Sequence, residues 1–252
     1  EPQQTMIEFV ADSSTTGEGE VRVEIEIVMI TSDGEASDFD SSVDFTTHDG
    51  TAIGGEDYVH TSFNRFFPAG TASGTTETVS VDLLPDDLDE PDETFAVELH
   101  NPLGAVLGAQ SVHTATIVDD DPPPELAAPD LLIGEGAGVA VVTLHLDAPT
   151  SFEVAVNYST ADGTAVAPED YSSTSGVATI APMDLFTTVE IPIENDWLDE
   201  GAEFFNLDLS GEVNAVLMTP TVEIIIEDDD AGIIFADDFE TGNTARWTSA
   251  VP

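Results

Sequence analysis

The chain has 252 residues, 52 of them acidic and only three basic (Arg22, Arg65 and Arg246), for a formal charge of −49. A surface of that sign excludes nucleic acid, whose phosphates need basic patches, and disfavours anionic membrane; its natural counterpart is a cation. There is no cysteine, which excludes disulfides and thiolate chemistry, while 41% hydrophobic residues in short alternating runs are enough for two cores of ordinary size.

In chain order, MIEFVAD near the N-terminus and VRVEIEIVMI read as strands, with the turn GEGE between them. VDFTTHDGTAIGGEDYVHTS follows from Val43, then the strand ETVSVDLL. Next comes LPDDLDEPDETF, Leu84 to Phe95, in which six of twelve residues are carboxylates. TFAVELH and TATIVDD complete the set, and the acidic triplet Asp119, Asp120 and Asp121 closes it.

After the stiff connector Pro122-Pro123-Pro124 the order returns. AVVTLHL, TVEIPIE, FFNLDL and TVEIIIE alternate or run apolar like their counterparts. VNYSTADGTAVAPEDYSSTS from Val156 repeats the motif from Val43, with Asp162 and Asp170 placed 113 residues after Asp49 and Asp57. Asp196, Glu200 and Glu203 repeat Asp86, Glu90 and Glu93 at a spacing of 110, and Asp228, Asp229 and Asp230 repeat the triplet at 109. Four motifs in one order, twice, indicate tandem copies: residues 1–121, a Pro-rich linker at 122–125, a second copy at 126–230 and a tail at 231–252. Short strands punctuated by Asp-Gly, Pro and Asn-Pro, with no long helical period, predict an all-β chain of two antiparallel β-sandwiches.

At these residues the chain resembles the Calx-β domain, the calcium-binding module of sodium–calcium exchangers, β4 integrin and large secreted bacterial proteins. The resemblance rests on DGTAIGGEDY and DGTAVAPEDY, on DDLDEPDETF and NDWLDEGAEFF, and on TIVDDD and IIEDDD, and it covers roughly residues 5–230. It implies an immunoglobulin-like sandwich of about seven strands per copy, with Ca²⁺ held by loops at one end. Carried over residue by residue, it implies ligands at Asp57, Asp86, Glu90, Glu93, Asp119, Asp120 and Asp121, with Asp87 beside them. In the second copy the same positions are Asp170, Asp196, Glu200, Glu203, Asp228, Asp229 and Asp230. A Glu in an early Glu-Gly turn adds Glu135 and, with a gap in the match, Glu18. Two departures, Pro85 and Asn195 where the exchanger pattern has an Asp, imply fewer ions per copy than the richest members bind.

The residue types suit that ion. Ca²⁺ takes six to eight oxygens, and crowded carboxylates without a cation would be driven to take up protons. Adaptation to salt also makes surfaces acidic, but it scatters acid rather than repeating it at matched spacing. Asp49 and Asp162, in Asp-Gly turns, read as turn residues; Tyr58 and Tyr171 read as core or corner aromatics. His48, His60, His100, His113 and His145 show neither metal-ligand spacing nor a paired nucleophile, so no catalysis is expected.

The tail contains IIFADDF, which resembles the opening strand of a further copy, and an FE-x-G-x-x-x-x-W ending. It reads either as a tail alone or as a strand added to a neighbouring molecule's sheet, which would give homo-polymers. The expectation is a secreted bacterial structural protein at or outside the cell surface, in adhesion, matrix or a fibre, with an unidentified adhesion ligand as a further partner and no membrane insertion. The alternative is a Ca²⁺-responsive module of a larger protein.

Overall fold

The computed structural model describes residues 2–230. The first copy holds nine strands: β1 Thr5–Phe9, β2 Ser13–Gly17, β3 Arg22–Thr31, β4 Ser41–Asp49, β5 Ser62–Phe67, β6 Thr75–Asp82, β7 Glu93–Leu103, β8 Val106–Leu107 and β9 Val112–Val118. The second repeats them as β10 Glu125–Ala127, β11 Leu131–Gly134, β12 Val139–Leu146, β13 Val154–Asp162, β14 Ser175–Ile180, β15 Phe186–Pro192, β16 Glu203–Val213, β17 Val216–Leu217 and β18 Thr221–Glu227. Among the described residues the only helical turn is a 3₁₀ turn at Glu135–Ala137.

Each copy is a sandwich of a four-stranded and a five-stranded sheet. The orders are β6-β3-β1-β8 and β2-β9-β7-β4-β5 in the first, and β15-β12-β10-β17 and β11-β18-β16-β13-β14 in the second. Every strand of the first copy thus has its counterpart nine places on. The expected seven strands become nine for two reasons. The opening segment splits, with β1 paired to β3 in one sheet and β2 paired parallel to β9 in the other. A two-residue β8 then closes against β1.

Alternation in the sequence is what builds the two faces. Along β3, Val23, Ile25, Ile27 and Met29 point inward while Arg22, Glu24 and Glu26 stay in solvent. β12 alternates without a break over all eight residues. Each copy has its own core: Phe9, Phe45, Phe67, Phe95 and Leu99 anchor the first, and Leu126, Leu144, Phe205 and Leu207 the second. Burying each of these large side chains contributes about 1.5–3 kcal/mol before entropy is counted. Both copies carry an irregularity at the same point, between Ser42 and Asp44 and between Ala155 and Asn157.

This topology fixes the location of the acidic loops. The parallel pairing of β2 and β9 ends at Gly17 opposite Val118, and β7 begins with Glu93 opposite Ile117. Asp49, at the end of β4, lies opposite Phe95 near the start of β7. The residues that follow β2, β4, β6 and β9 therefore emerge at one end of the sandwich, together with the start of β7.

The two copies touch at a specific point. Asp89, in the acidic loop after β6, forms a parallel bridge with Thr150 in the turn between β12 and β13. The Asp89 carbonyl accepts from Ser151 N–H at 3.0 Å and from Thr150 Oγ1 at 3.0 Å, and Asp89 Oδ2 accepts from the same hydroxyl at 2.7 Å. Thr150 is buried.

Candidate metal centre

In the first copy Glu18, Asp86 and Asp121 offer oxygens that lie within 4.8 Å of one another, and Asp57, Glu90 and Glu93 form a second such group. In the second copy Asp170, Glu200 and Glu203 repeat the second group, while Glu135, Asp228 and Asp230 form the other, with Asp228, the counterpart of Asp119, standing in place of Asp196, the counterpart of Asp86. Twelve of the seventeen residues singled out from the sequence are therefore gathered into four tight groups. The other five surround them. Asp119 Oδ1 accepts from Glu90 N–H at 3.3 Å, and Asp120 lies against Gly19. Asp196 Oδ1 accepts from Leu198 N–H at 2.7 Å, and Asp229 lies against Gly136. Asp87 remains exposed and outside both groups.

Local geometry explains how each carboxylate is aimed. Glu18 and Glu135 are both buried, and the Oε1 of each accepts from a backbone N–H, that of Asp86 at 3.1 Å and that of Asp196 at 2.8 Å. Glu18, which matched the sequence pattern only through a gap, thus occupies the place of Glu135. The glycine after each of them leaves room for a carboxylate to approach closely. A Cβ on Gly19 would sit 2.9 Å from Asp120 Oδ2, and one on Gly136 2.6 Å from Asp229 Oδ2. Asp57 and Asp170 each close a tight turn by accepting from the backbone N–H four residues back, Ile53 at 2.5 Å and Val166 at 2.6 Å.

Asp49 and Asp162 lie beside the groups as corner residues. Each accepts from a tyrosine hydroxyl, Tyr58 at 2.7 Å and Tyr171 at 2.6 Å, and from a turn N–H. Those bonds hold both carboxyls below the usual aspartate range. The tyrosine rings stack on Phe95 and Phe205, with centroids 4.2 and 4.0 Å apart.

The gathered carboxyls behave in the opposite way. Burial first, and then the charges of Asp57, Asp86 and Glu18, push Glu90 up to about 7. Glu93 is also pushed up to about 7, by burial and then by its hydrogen bond and charge contact with Asp57. Burial followed by neighbouring carboxylates raises Asp121 and, in the second copy, Glu200, Glu203 and Asp230. Glu18 is raised mainly by burial, partly offset by its bond from Asp86.

Among the described residues, three buried carboxylate oxygens, Glu93 Oε2, Asp121 Oδ2 and Asp230 Oδ2, find no hydrogen-bond partner. A buried acceptor left without a donor costs about 1–3 kcal/mol, and a cation removes that cost. The donor set is oxygen only, with no imidazole or thiolate, which suits a hard cation of the Ca²⁺ or Mg²⁺ type rather than zinc.

The Asp89–Thr150 contact carries no signal in the sequence, because a Thr-Ser turn reads like any other loop. The second copy's acidic loop repeats the first one's Asp turn but carries Trp197 where the first has Asp87. Trp197 is 89% exposed, as Asp87 is exposed, but Leu198 is 58% exposed where its counterpart Leu88 is half-buried.

The Calx-beta domain family matches residues 1–121 and 125–230, and the chain belongs to that family. Sodium/calcium exchanger 1 of Canis lupus familiaris is 28% identical over 207 residues, which are 74% of this chain and 21% of the exchanger. Sodium/calcium exchanger Calx of Drosophila melanogaster is 30% identical over 178 residues, 67% of this chain and 18% of that protein. The chain thus spans about a fifth of the length of these relatives. Among solved structures, the calcium binding domain CBD12 of CALX1.1 is 24% identical with a TM-score of 0.42, over 83% of this chain and 81% of that one.

Proposed function

We propose that the chain is a Ca²⁺-binding structural module in which each sandwich holds calcium in one acidic cup at its tip. The observation that carries this reading is the pair of buried, partnerless carboxylate oxygens at equivalent places, Asp121 Oδ2 and Asp230 Oδ2. Each sits among carboxylates whose mutual repulsion a bound cation relieves without proton uptake. The ligands of the first cup are Glu18, Asp57, Asp86, Glu90, Glu93 and the triplet Asp119–Asp121; those of the second are their counterparts. The role is binding and mechanical rather than catalytic.

The Asp89–Thr150 contact supports a further part of this reading. Asp89 lies between Asp86 and Glu90, so the loop that docks the second copy is also a wall of the first cup. An ion that fixes Asp86 and Glu90 fixes Asp89 as well and stiffens the joint. Repeated from copy to copy, this arrangement supports our reading of a secreted, extracellular rod that joins head to tail through residues 231–252, in adhesion, matrix or a surface fibre. The similarity to sodium/calcium exchangers favours a second reading, a Ca²⁺-responsive module within a longer protein.

Thermal melting at matched ionic strength tests the calcium reading. Calcium at about 100 to 1,000 times Kd stabilises by about 3–4 kcal/mol through mass action, so chelator must lower Tm. Calorimetric titration of Asp121→Asn and Asp230→Asn should show weakened binding in one cup each. Equal Tm with calcium and with chelator would refute the assignment.

A further inference from the structure

Outside the cups, one surface stands apart from the rest of this acidic chain. β5 is the outer strand of its five-stranded sheet and pairs only with β4 among the described residues. Its other edge leaves backbone N–H and C=O groups open to a further strand. From Tyr58 to Thr76 there is no Asp or Glu, in a chain with 52 of them. Phe63 and Phe66, both on β5, are 60% and 57% exposed.

Arg65 lies between them. Its guanidinium sits 5.5 Å from the centre of the Phe63 ring, and Nη2 donates to the Thr78 carbonyl at 2.6 Å. It makes no ion pair among the described residues, and its Nε is buried without a partner. Arg22, by contrast, pairs with Asp82 at 3.5 Å. The fold does not demand this arrangement: the pairing register of β14 puts Gly176, Ala178 and Thr179 where β5 has Phe63, Arg65 and Phe66. At this edge, among the described residues, the first copy alone carries two exposed aromatics and a cation without a carboxylate.

We propose that the β5 edge is the docking site for residues 231–252 of a second copy of this chain, which add to it as a further strand. This rests on the homo-polymer part of the function proposed above and names its acceptor. Charge decides the choice of surface. Two copies at −49 each repel, and the contact is less opposed where the accepting strand carries no acid of its own and an arginine with no ion pair among the described residues. The segment 231–252 lies outside the described residues, and its sequence has the matching chemistry. Ile233, Ile234 and Phe235 supply apolar contact for the phenylalanines, and Asp237, Asp238 and Glu240 supply the carboxylate that Arg65 lacks. Because donor and acceptor surfaces differ, the contact is heterologous and propagates as a chain.

Sedimentation velocity of the full chain in millimolar Ca²⁺ at fixed ionic strength tests this, with Phe66→Ser, Arg65→Glu and a synthetic peptide of residues 231–252 as competitor. Phe66 is exposed, so its replacement should leave Tm unchanged. The parent should sediment as polymers, either substitution should weaken self-association at least tenfold, and the peptide should dissolve the polymers. Polymers that persist in both variants but vanish on deletion of residues 231–252 would overturn the β5 site and leave the polymer reading standing. Loss of polymers in Phe66→Ser without competition by the peptide would also overturn it, in favour of β5 pairing with β5. A parent that is monomeric at high concentration would overturn both.

Discussion

Raising the pH in the absence of calcium should destabilise this protein through the range where most proteins are indifferent to it. Glu90 and Glu93 are both pushed from 4.5 to about 7 by burial and by neighbouring carboxylates. A carboxyl whose pKa rises on folding holds its proton more tightly in the folded chain than in the unfolded one. Between about pH 4.5 and 7 the folded chain therefore binds more protons, and stability is lost as pH rises through that window. Full conversion at 1.36 kcal/mol per unit would give about 3 kcal/mol for each group; solvent reaches both carboxyls, and screening reduces this to about 1–2 kcal/mol each. The lowered carboxyls, Asp33, Asp44, Asp49 and Asp162, act in the opposite sense but below 3.8, so their contribution is already complete at pH 5. Melts followed by circular dichroism in chelator should show Tm falling by on the order of 10 °C between pH 5.5 and 8. In calcium the trend should flatten or reverse, because the ionised carboxylates are the ligands. A Tm in chelator that is level or rises across that interval would refute the account of the cups as sites of uncompensated repulsion.

Two further outcomes follow from single contacts. Thr150→Val keeps the shape of the side chain but removes both hydroxyl bonds to Asp89, at 3.0 and 2.7 Å, and should weaken docking of the two copies by about 1–3 kcal/mol. Small-angle scattering should show a broader spread of inter-copy distances with unchanged calcium stoichiometry; an unaltered scattering profile would count against the joint. Tyr171→Phe removes the 2.6 Å bond to the Asp162 carboxylate and should cost the second copy about 1.5–3 kcal/mol. Its melting transition should drop by several degrees while calcium titration of the first copy is unchanged.

The alternation of β3 and β12 was legible because each of their faces meets one environment, core or water. The gathering of the carboxylates was legible because the same acids recur in the same order twice. The split of the opening strand was not, since Val10-Ala11-Asp12 carries no glycine or proline to mark a change of sheet. Val106–Leu107 and Val216–Leu217 form strands too short for a period to show. Glu18 matched the sequence pattern only through a gap, and its likeness to Glu135 shows in a backbone contact the sequence does not carry, the bond each accepts from the N–H of Asp86 or Asp196. Thr150 was invisible because its role comes from a partner 61 residues away.

The parallel pairing of terminal strands bears on how each sandwich carries load. β2 lies alongside β9 from Ser13–Thr114 to Gly17–Val118, and β11 alongside β18 from Leu131–Ile224 to Gly134–Glu227. When tension is applied through the chain, the early strand is drawn toward one end of the sandwich and the late strand toward the other. The hydrogen bonds between them are then strained together, in shear, and must fail at once rather than unzip singly. Glu18 and Asp121 meet where the first ladder ends, and Glu135 and Asp230 where the second does. An ion held there bridges the two strands under tension and acts as a rivet at the end of the seam.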